Sequence, residues 1–399
     1  MKERNDVKPR DADSEMVMGW ESRKRLKAKT FTDTAGQVFR AMAPILDQEG
    51  MLTPTTASYV VQHFDIPPVV HPDEWALTVG GHVKHPATLT LQDLQELPGR
   101  TVRMVLECST NDTQFFDAQS AEQFIAVMRE QDPSYTGKRW QGGFVSAGEF
   151  TGVPLAIVLE RAGLSPHAIS VRIAGRDCGS PDPVMHGLPP LDSRIPPFDY
   201  DKGLPLEKAL DPDTILAWAQ NGEYLDHLHG APVRLIVPGW PGNWSVKWVQ
   251  GIEVLNCPAT CWYQTEYYYY SQSPDDPRRE TITTLPVKSI LTFPRDNDAT
   301  LPRGKHILRG LAWSGGGRIT QVEVSLDDGR TWHTTLLAEP RERWLWTRWA
   351  LPWKFDEPEM YSILCRATDE TGARQSREGR WNHLRLNFSG IVPVQVTIT

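Results

Sequence analysis

The sequence lacks any apolar run approaching the ~20 residues that a membrane-spanning helix needs, so no membrane partner is expected. It also lacks a cationic excess. Lys and Arg number 42 against 50 Asp and Glu, and the formal charge of −8 excludes an electrostatic nucleic-acid binder. Cysteine is scarce: five residues, odd in number and thinly spread, do not make a disulfide framework. No Cys-x-x-Cys-His haem-attachment motif occurs. The opening Met1-Lys-Glu-Arg-Asn-Asp is charged, with no apolar leader, twin-Arg segment or small-residue cleavage site. A cytoplasmic location is expected on that ground, with the periplasm as the alternative. Hydrophobic residues at 40% and charged residues at 23% exclude global disorder.

What is abundant points to a β-rich fold. Thirty-two Pro and 30 Gly imply many turns and few long helices, and 15 Trp imply either pocket walls or a well-packed β core. A length of 399 residues suits two or three domains. Residues 1–50 read as an N-terminal extension, ending in a docked helical turn around Val38, Phe39, Met42, Ile45 and Leu46. Residues 51–270 read as the first domain. Within it, 75–81 is a strand, Thr90 caps a short helix, and Pro154–Ala162 is a helix stopped by Gly163. The stretch 101–108 alternates, so Val102, Met104, Leu106 and Cys108 share one strand face. Residues 232–238 form a buried strand entering the turn Gly239-Trp-Pro-Gly-Asn-Trp. The polar, Pro-containing stretch 271–283 reads as a linker. After it, residues 284–399 carry short alternating strands and the hairpin signal Asp328-Gly329, which predict an immunoglobulin-like β-sandwich. The expected fold class is α+β, a mixed α/β domain followed by that sandwich.

Two features carry chemistry. Cys108 ends a strand and opens into Ser-Thr-Asn-Asp-Thr, so it is either a core cysteine or a soft thiolate ligand or nucleophile at a sheet edge. The segment Asp226-His-Leu-His-Gly-Ala-Pro-Val-Arg, with Gly239 to Trp248 behind it, gathers His227, His229, Arg234 and Lys247 around a buried strand. Burying such cations unpaired is costly, so an anion should lie nearby, and a Gly/Ser loop with Arg and Lys suits a phosphate. An internal salt bridge is the plainer alternative. A metal held by His227, His229, Cys257 and Cys261 is a third, weak because the cysteine pair lacks a second pair at zinc-site spacing.

These residues resemble a known family. Glu107-Cys108-x-x-Asn111, His229-Gly-x-Pro-x-Arg234 and Val237-Pro-Gly-x-x-Gly-x-x-Ser245-Val-Lys247-Trp248 look like the molybdopterin domain of sulfite oxidases. Leu311-Ala-Trp-Ser-Gly-Gly-Gly-Arg-Ile319, Val324-Ser-Leu-Asp-Asp-Gly-Arg-Thr-Trp332 and Trp381-Asn382 resemble that family's C-terminal dimerisation domain. The resemblance implies a molybdenum cofactor (Mo-molybdopterin) with Cys108 as the protein thiolate on the metal. It places cofactor contacts at Tyr59, Val60, Val61, Gln62, His63, Asp177, His229, Arg234, Ser245, Val246 and Lys247. It puts Tyr267 beside the substrate, with sulfite oxidised to sulfate by oxygen-atom transfer. It further implies a homodimer and an external electron acceptor, oxygen or a cytochrome.

The sequence departs from the family where sulfite is gripped. Val61-Gln62-His63 replaces Arg-Asn-His, Ser109-Thr110-Asn111-Asp112-Thr113 replaces Ala-Gly-Asn-Arg-Arg, and Leu384 stands where the closing segment has Arg. A unit charge pair at contact distance is worth at most about 4 kcal/mol at an effective dielectric near 20. Loss of two or three therefore weakens dianion capture by orders of magnitude, unless Lys202, Arg176, His63 or Arg385 substitute. A less anionic sulfur or oxo substrate is the alternative reading, and a non-catalytic homologue is another. The proline-rich stretch Cys178–Gly203 is expected to reshape the pocket mouth.

Overall fold

The computed structural model describes residues 50–118, 143–181, 195–295 and 299–399, with parts of 25–48 and 120–126. Most of the proline-rich stretch expected at the pocket mouth, residues 182–194, lies outside the described residues. The fold is mostly sheet, with short helices, as the turn-rich composition predicts.

Two five-stranded sheets form the first unit. In one, Arg100–Glu107 pairs with Val145–Pro154, which pairs with Ile215–Gln220, and Arg234–Ile236 joins on the same strand. In the other, Ala76–Gly81 runs parallel to Val249–Leu255, which pairs antiparallel with Ser170–Gly179 and so to Phe198–Pro205. The predicted helices form where local signals are strongest. Thr90 and Asp93 make a reciprocal capping box on Leu91–Gln95, and Leu155–Ala162 ends at Gly163 in the left-handed region. The expected helical turn near residue 40 is instead a strand. Gln37–Met42 pairs with Arg25–Thr30 on one side and with Val60–Val61 on the other. Pairing with the edge of Val60–Val61 overrides a short apolar periodicity that only a tertiary partner could decide.

The second unit is a two-sheet sandwich. One sheet holds Lys288–Phe293, Gly304–Trp313 and Thr347–Phe355; the other holds Ile319–Ser325, Met360–Asp369 and Val394–Ile398. Leu308, Val322, Val324, Trp349, Ile363, Cys365, Ala367 and Val396 fill the space between them. Asp328 and Gly329 both take positive φ at the hairpin tip, as their sequence predicts. Residues 271–283 close a small hairpin, with Tyr269–Tyr270 against Glu280–Thr281, and Ile282 enters the first unit's core.

The seam between the units bears on the site. Val102, Met104, Leu106 and Cys108 share one buried face, as the alternation predicts. The opposite face is covered too, because Val105 packs with Trp313, Leu345 and Trp346 of the second unit. At the strand's end Lys288 Nζ lies 2.8 Å from Glu107 Oε1 and 2.6 Å from Asp112 Oδ2. Burial works against that ammonium, yet Asp112 and Glu107 together hold its pKa above the ordinary lysine value.

Close strand packing also fixes Gly152, where an added Cβ would fall 2.1 Å from the Leu216 carbonyl oxygen. Gly80 has open space at the same position. Gly152→Ala is expected to cost about 1–3 kcal/mol by forcing the strands apart. Gly80→Ala is expected to be neutral or slightly stabilising. Urea midpoints of the two variants check this, and equal midpoints would contradict it.

Candidate functional site

The strand ends and loops of the first unit converge on one cavity that opens to solvent. Its walls bring together Tyr59, Val60, Val61, Gln62, His63, Cys108, Asp177, His229, Arg234, Ser245 and Lys247. Tyr200, Asn243, Leu106, Leu228 and Gly242 complete the lining. The two remaining expectations are not met. Val246 packs into the hydrophobic core, and Tyr267 lies in the same core rather than on the cavity wall. Tyr268, its neighbour, places its hydroxyl 2.6 Å from His63 Nε2. In a run of four tyrosines no sequence signal distinguishes one ring from the next.

The cavity wall holds a thiol. Cys108 follows the strand Arg100–Glu107; its N–H donates to the Phe144 carbonyl, and Thr110 Oγ1 lies 3.2 Å from its sulfur. The wall also holds two buried cations. Arg234 is 3% exposed, donates from Nη2 to the Ser245 carbonyl at 3.3 Å, and leaves Nε without a partner among the described residues. Burial pulls its pKa down to about 10, so it stays charged at neutral pH. No carboxylate pairs with it among the described residues, which removes the plain internal salt bridge as its explanation. Lys247 sits over the Trp248 ring, 4.3 Å from its centroid, and donates to the Leu228 carbonyl.

The rest of the wall is partly polar and incompletely satisfied among the described residues. Both amide atoms of Gln62, Asp177 Oδ1 and Asn243 Nδ2 are buried without a hydrogen-bond partner among the described residues. Burial raises Asp177 and lowers Lys247, each toward about 7, with their mutual attraction opposing both shifts. Buried polar atoms are almost always paired in a finished structure, so this many facing one cavity mark a polar ligand. Asp226 accepts from His229 at both its N–H and Nδ1, fixing the ring on the wall. Tyr59 closes over Gly242, where an added Cβ would fall 2.2 Å from the Tyr59 hydroxyl.

The zinc-type alternative fails on geometry. His227 Nε2 contacts the Pro67 carbonyl, away from the cavity, and no group of three or more His, Cys, Asp or Glu converges among the described residues. The substitute cations also fall short. Arg385 is bound to Asp117 at 2.7 Å, and the Arg176 side chain, among the described residues, donates to the Pro68 carbonyl. Lys202 is 0% exposed behind the wall, 4.8 Å from the Trp244 ring and 4.5 Å from the Tyr268 ring. Of the four, His63 alone lines the cavity.

A donor set of one thiolate, a buried guanidinium and ammonium, and a row of unsatisfied amide and carboxyl groups fits a pterin dithiolene carrying a phosphate. The fold and site thus define a molybdopterin-binding oxidoreductase. Residues 63–263 match the family described as oxidoreductase molybdopterin binding domain, and residues 279–390 match the Mo-co oxidoreductase dimerisation domain. The chain is 30% identical to mitochondrial sulfite oxidase of Rattus norvegicus, over 82% of its own length and 58% of that protein. It is 28% identical to an NADH nitrate reductase of Ulva prolifera, over 88% of its length and 41% of that protein. The solved structure of the sulfane dehydrogenase SoxCD from Paracoccus pantotrophus superposes with a TM-score of 0.77 at 26% identity, covering 100% of this chain and 93% of that one. The chain belongs to the sulfite oxidase family, and its cofactor is the molybdenum cofactor.

Lys202 yields a pH test. Burial lowers its pKa to about 7, with Cys261 and Asp201 opposing the shift, and Asp201 is itself committed to Arg172 Nε at 2.6 Å. A folded-state value below the unfolded one means the unfolded chain binds the extra proton between about pH 7 and 10.4, so the penalty fades as pH rises. Lys202→Met is therefore expected to stabilise the cofactor-free protein more at pH 6.5 than at pH 9.5, by up to about 3 kcal/mol. Denaturant midpoints at the two pH values check this; an advantage independent of pH would refute it.

Proposed function

We propose that this chain is a molybdenum-dependent oxidoreductase that adds oxygen to sulfur in a substrate less anionic than sulfite. The carrying observation is what stands where the family resemblance carries arginine. Val61 lines the cavity and Thr113 Oγ1 donates to the Arg385 carbonyl, while the cavity's cations, Arg234 and Lys247, suit a phosphate. The likeness to a sulfane dehydrogenase supports a sulfane-sulfur compound. Sulfite oxidation to sulfate is the second reading, favoured by the identity to sulfite oxidases.

In this reading Cys108 is the metal's protein ligand, with Thr110 steadying its sulfur. Arg234 and Lys247 answer the cofactor's phosphate, and Asp177, Gln62 and Asn243 meet its polar edges, which satisfies the buried atoms left unpaired. The bound cofactor supplies two-electron oxygen-atom transfer between water and a sulfur atom. Burial holds the Tyr268 phenol well above its usual pKa, and its hydroxyl, 2.6 Å from His63 Nε2, fixes that ring at the cavity wall. Tyr200 stacks on the other side of His63, ring centroids 4.4 Å apart, and closes the wall to water. The pair is placed to hold or move a proton during turnover. Oxidation of the sulfur by one oxygen from water releases two protons and two electrons, and the electrons leave to an external acceptor. A homodimer through the second unit completes the proposal, with light scattering as its check.

Purified protein is expected to carry about one molybdenum and one phosphorus per chain; folded protein without molybdenum would end the reading. Cys108→Ser is expected to keep the fold and abolish turnover. With ferricyanide as acceptor, kcat/KM for cysteine persulfide, a sulfane-sulfur compound with one net negative charge, is expected to exceed that for sulfite. Val61→Arg is expected to raise kcat/KM for sulfite about tenfold or more. Wild-type preference for sulfite together with no gain in Val61→Arg would overturn the substrate assignment.

A further inference from the structure

The thiol's support comes largely from outside the cavity and from outside the first unit. Side chains alternate along a strand, so Glu107 projects opposite to Cys108, toward the second unit. There its carboxylate accepts from Lys288 Nζ at 2.8 Å, Trp313 Nε1 at 2.7 Å and Asn111 Nδ2 at 2.8 Å. Lys288 also holds Asp112 Oδ2 at 2.6 Å, and Asp112 adopts φ 64°, the left-handed conformation that turns the chain after the cysteine. Asn111 Oδ1 accepts from the Phe144 N–H, and the Asn387 N–H donates to the Ser109 carbonyl at 2.6 Å. Glu107, Ser109, Asn111 and Asp112 are thus each held by contacts to residues that do not line the cavity.

The charges are as specific as the contacts. Lys288 is 1% exposed, and its two carboxylate partners are buried as well. One ammonium between two carboxylates leaves a net charge of minus one beside the thiol.

We propose that Lys288 is a positioning residue for Cys108, acting through Glu107 and Asp112 to set both the geometry of the thiolate and the charge around the centre it holds. The proposal rests on the assignment of Cys108 as the metal's ligand. Buried negative charge favours the more oxidised, more positive state of a metal centre, so altering the cluster's charge shifts the reduction potential in a fixed direction. A support that only braced the fold would not do so.

The test uses full-length, molybdenum-loaded protein and potentiometric titration of its paramagnetic molybdenum signal. Asp112→Asn removes one negative charge, keeps the left-handed turn, which Asn tolerates, and leaves the Lys288–Glu107 contact in place. Its midpoint is expected to rise and its signal to change shape. Lys288→Gln is expected to lower the midpoint, and the double variant is expected to return toward the wild-type value. Should Lys288→Gln fail to fold, Asp112→Asn decides alone. Folded, loaded Asp112→Asn with a wild-type midpoint and signal would overturn the proposal. Wild-type protein that takes up no molybdenum would instead overturn the cofactor assignment on which it rests.

Discussion

A guanidinium taken out of water has to be answered, and the arrangement of the first unit follows from that requirement. Arg234 opens an edge strand three residues long that pairs with Ile215–Gln220, and it has a carbonyl and a phenyl ring for company. Desolvating a charge without a counter-ion costs several kcal/mol, far more than burial of the surrounding apolar atoms returns locally. The cost is tolerable only in a molecule that meets an anion during its working life. The unsatisfied amide atoms of Gln62 and Asn243 follow the same logic, since none of them has a hydrogen-bond partner among the described residues.

The sheets make that arrangement rigid. Each functional side chain sits at a strand end or on the short turn behind one, so its position is set by the ladder of backbone hydrogen bonds rather than by a free loop. Arg100–Glu107 delivers Cys108, Ser170–Gly179 delivers Asp177, and Phe198–Pro205 delivers Tyr200. The aromatic residues behind the wall perform a second task. Tyr200, Tyr263 and Tyr268 surround His63, hold its ring in one orientation and keep water from its back.

The second unit is part of the site as well as a platform beside it. Its Lys288 and Trp313 reach the residue preceding Cys108, and its apolar face covers the back of the same strand. A strand with one face toward a cofactor and the other toward a neighbouring unit has no solvated side. This explains why the end of Arg100–Glu107 is apolar or paired on both faces, where simple alternation would leave one face polar. The cation-poor region near Cys108 follows from local pairings: Arg385 is spent on Asp117, and Lys202 is screened by rings.

The sequence by itself determined the composition-driven β architecture, the capping of its short helices, the hairpin at Asp328-Gly329 and the ordered motifs that place a thiol and a basic cradle in one family. Those signals are local, carried by spacing, turn residues and propensity within a dozen positions. Only the tertiary structure decided that residues 37–42 are a strand, because their partner is the distant edge at Val60–Val61. It also decided that Tyr268 and not Tyr267 faces His63, that Val246 belongs to the core, and that Lys202 stands behind the wall. Tyr200 and Asn243 were found the same way. Which of several like residues meets a cavity depends on chain segments hundreds of positions apart, and no local pattern encodes that distance.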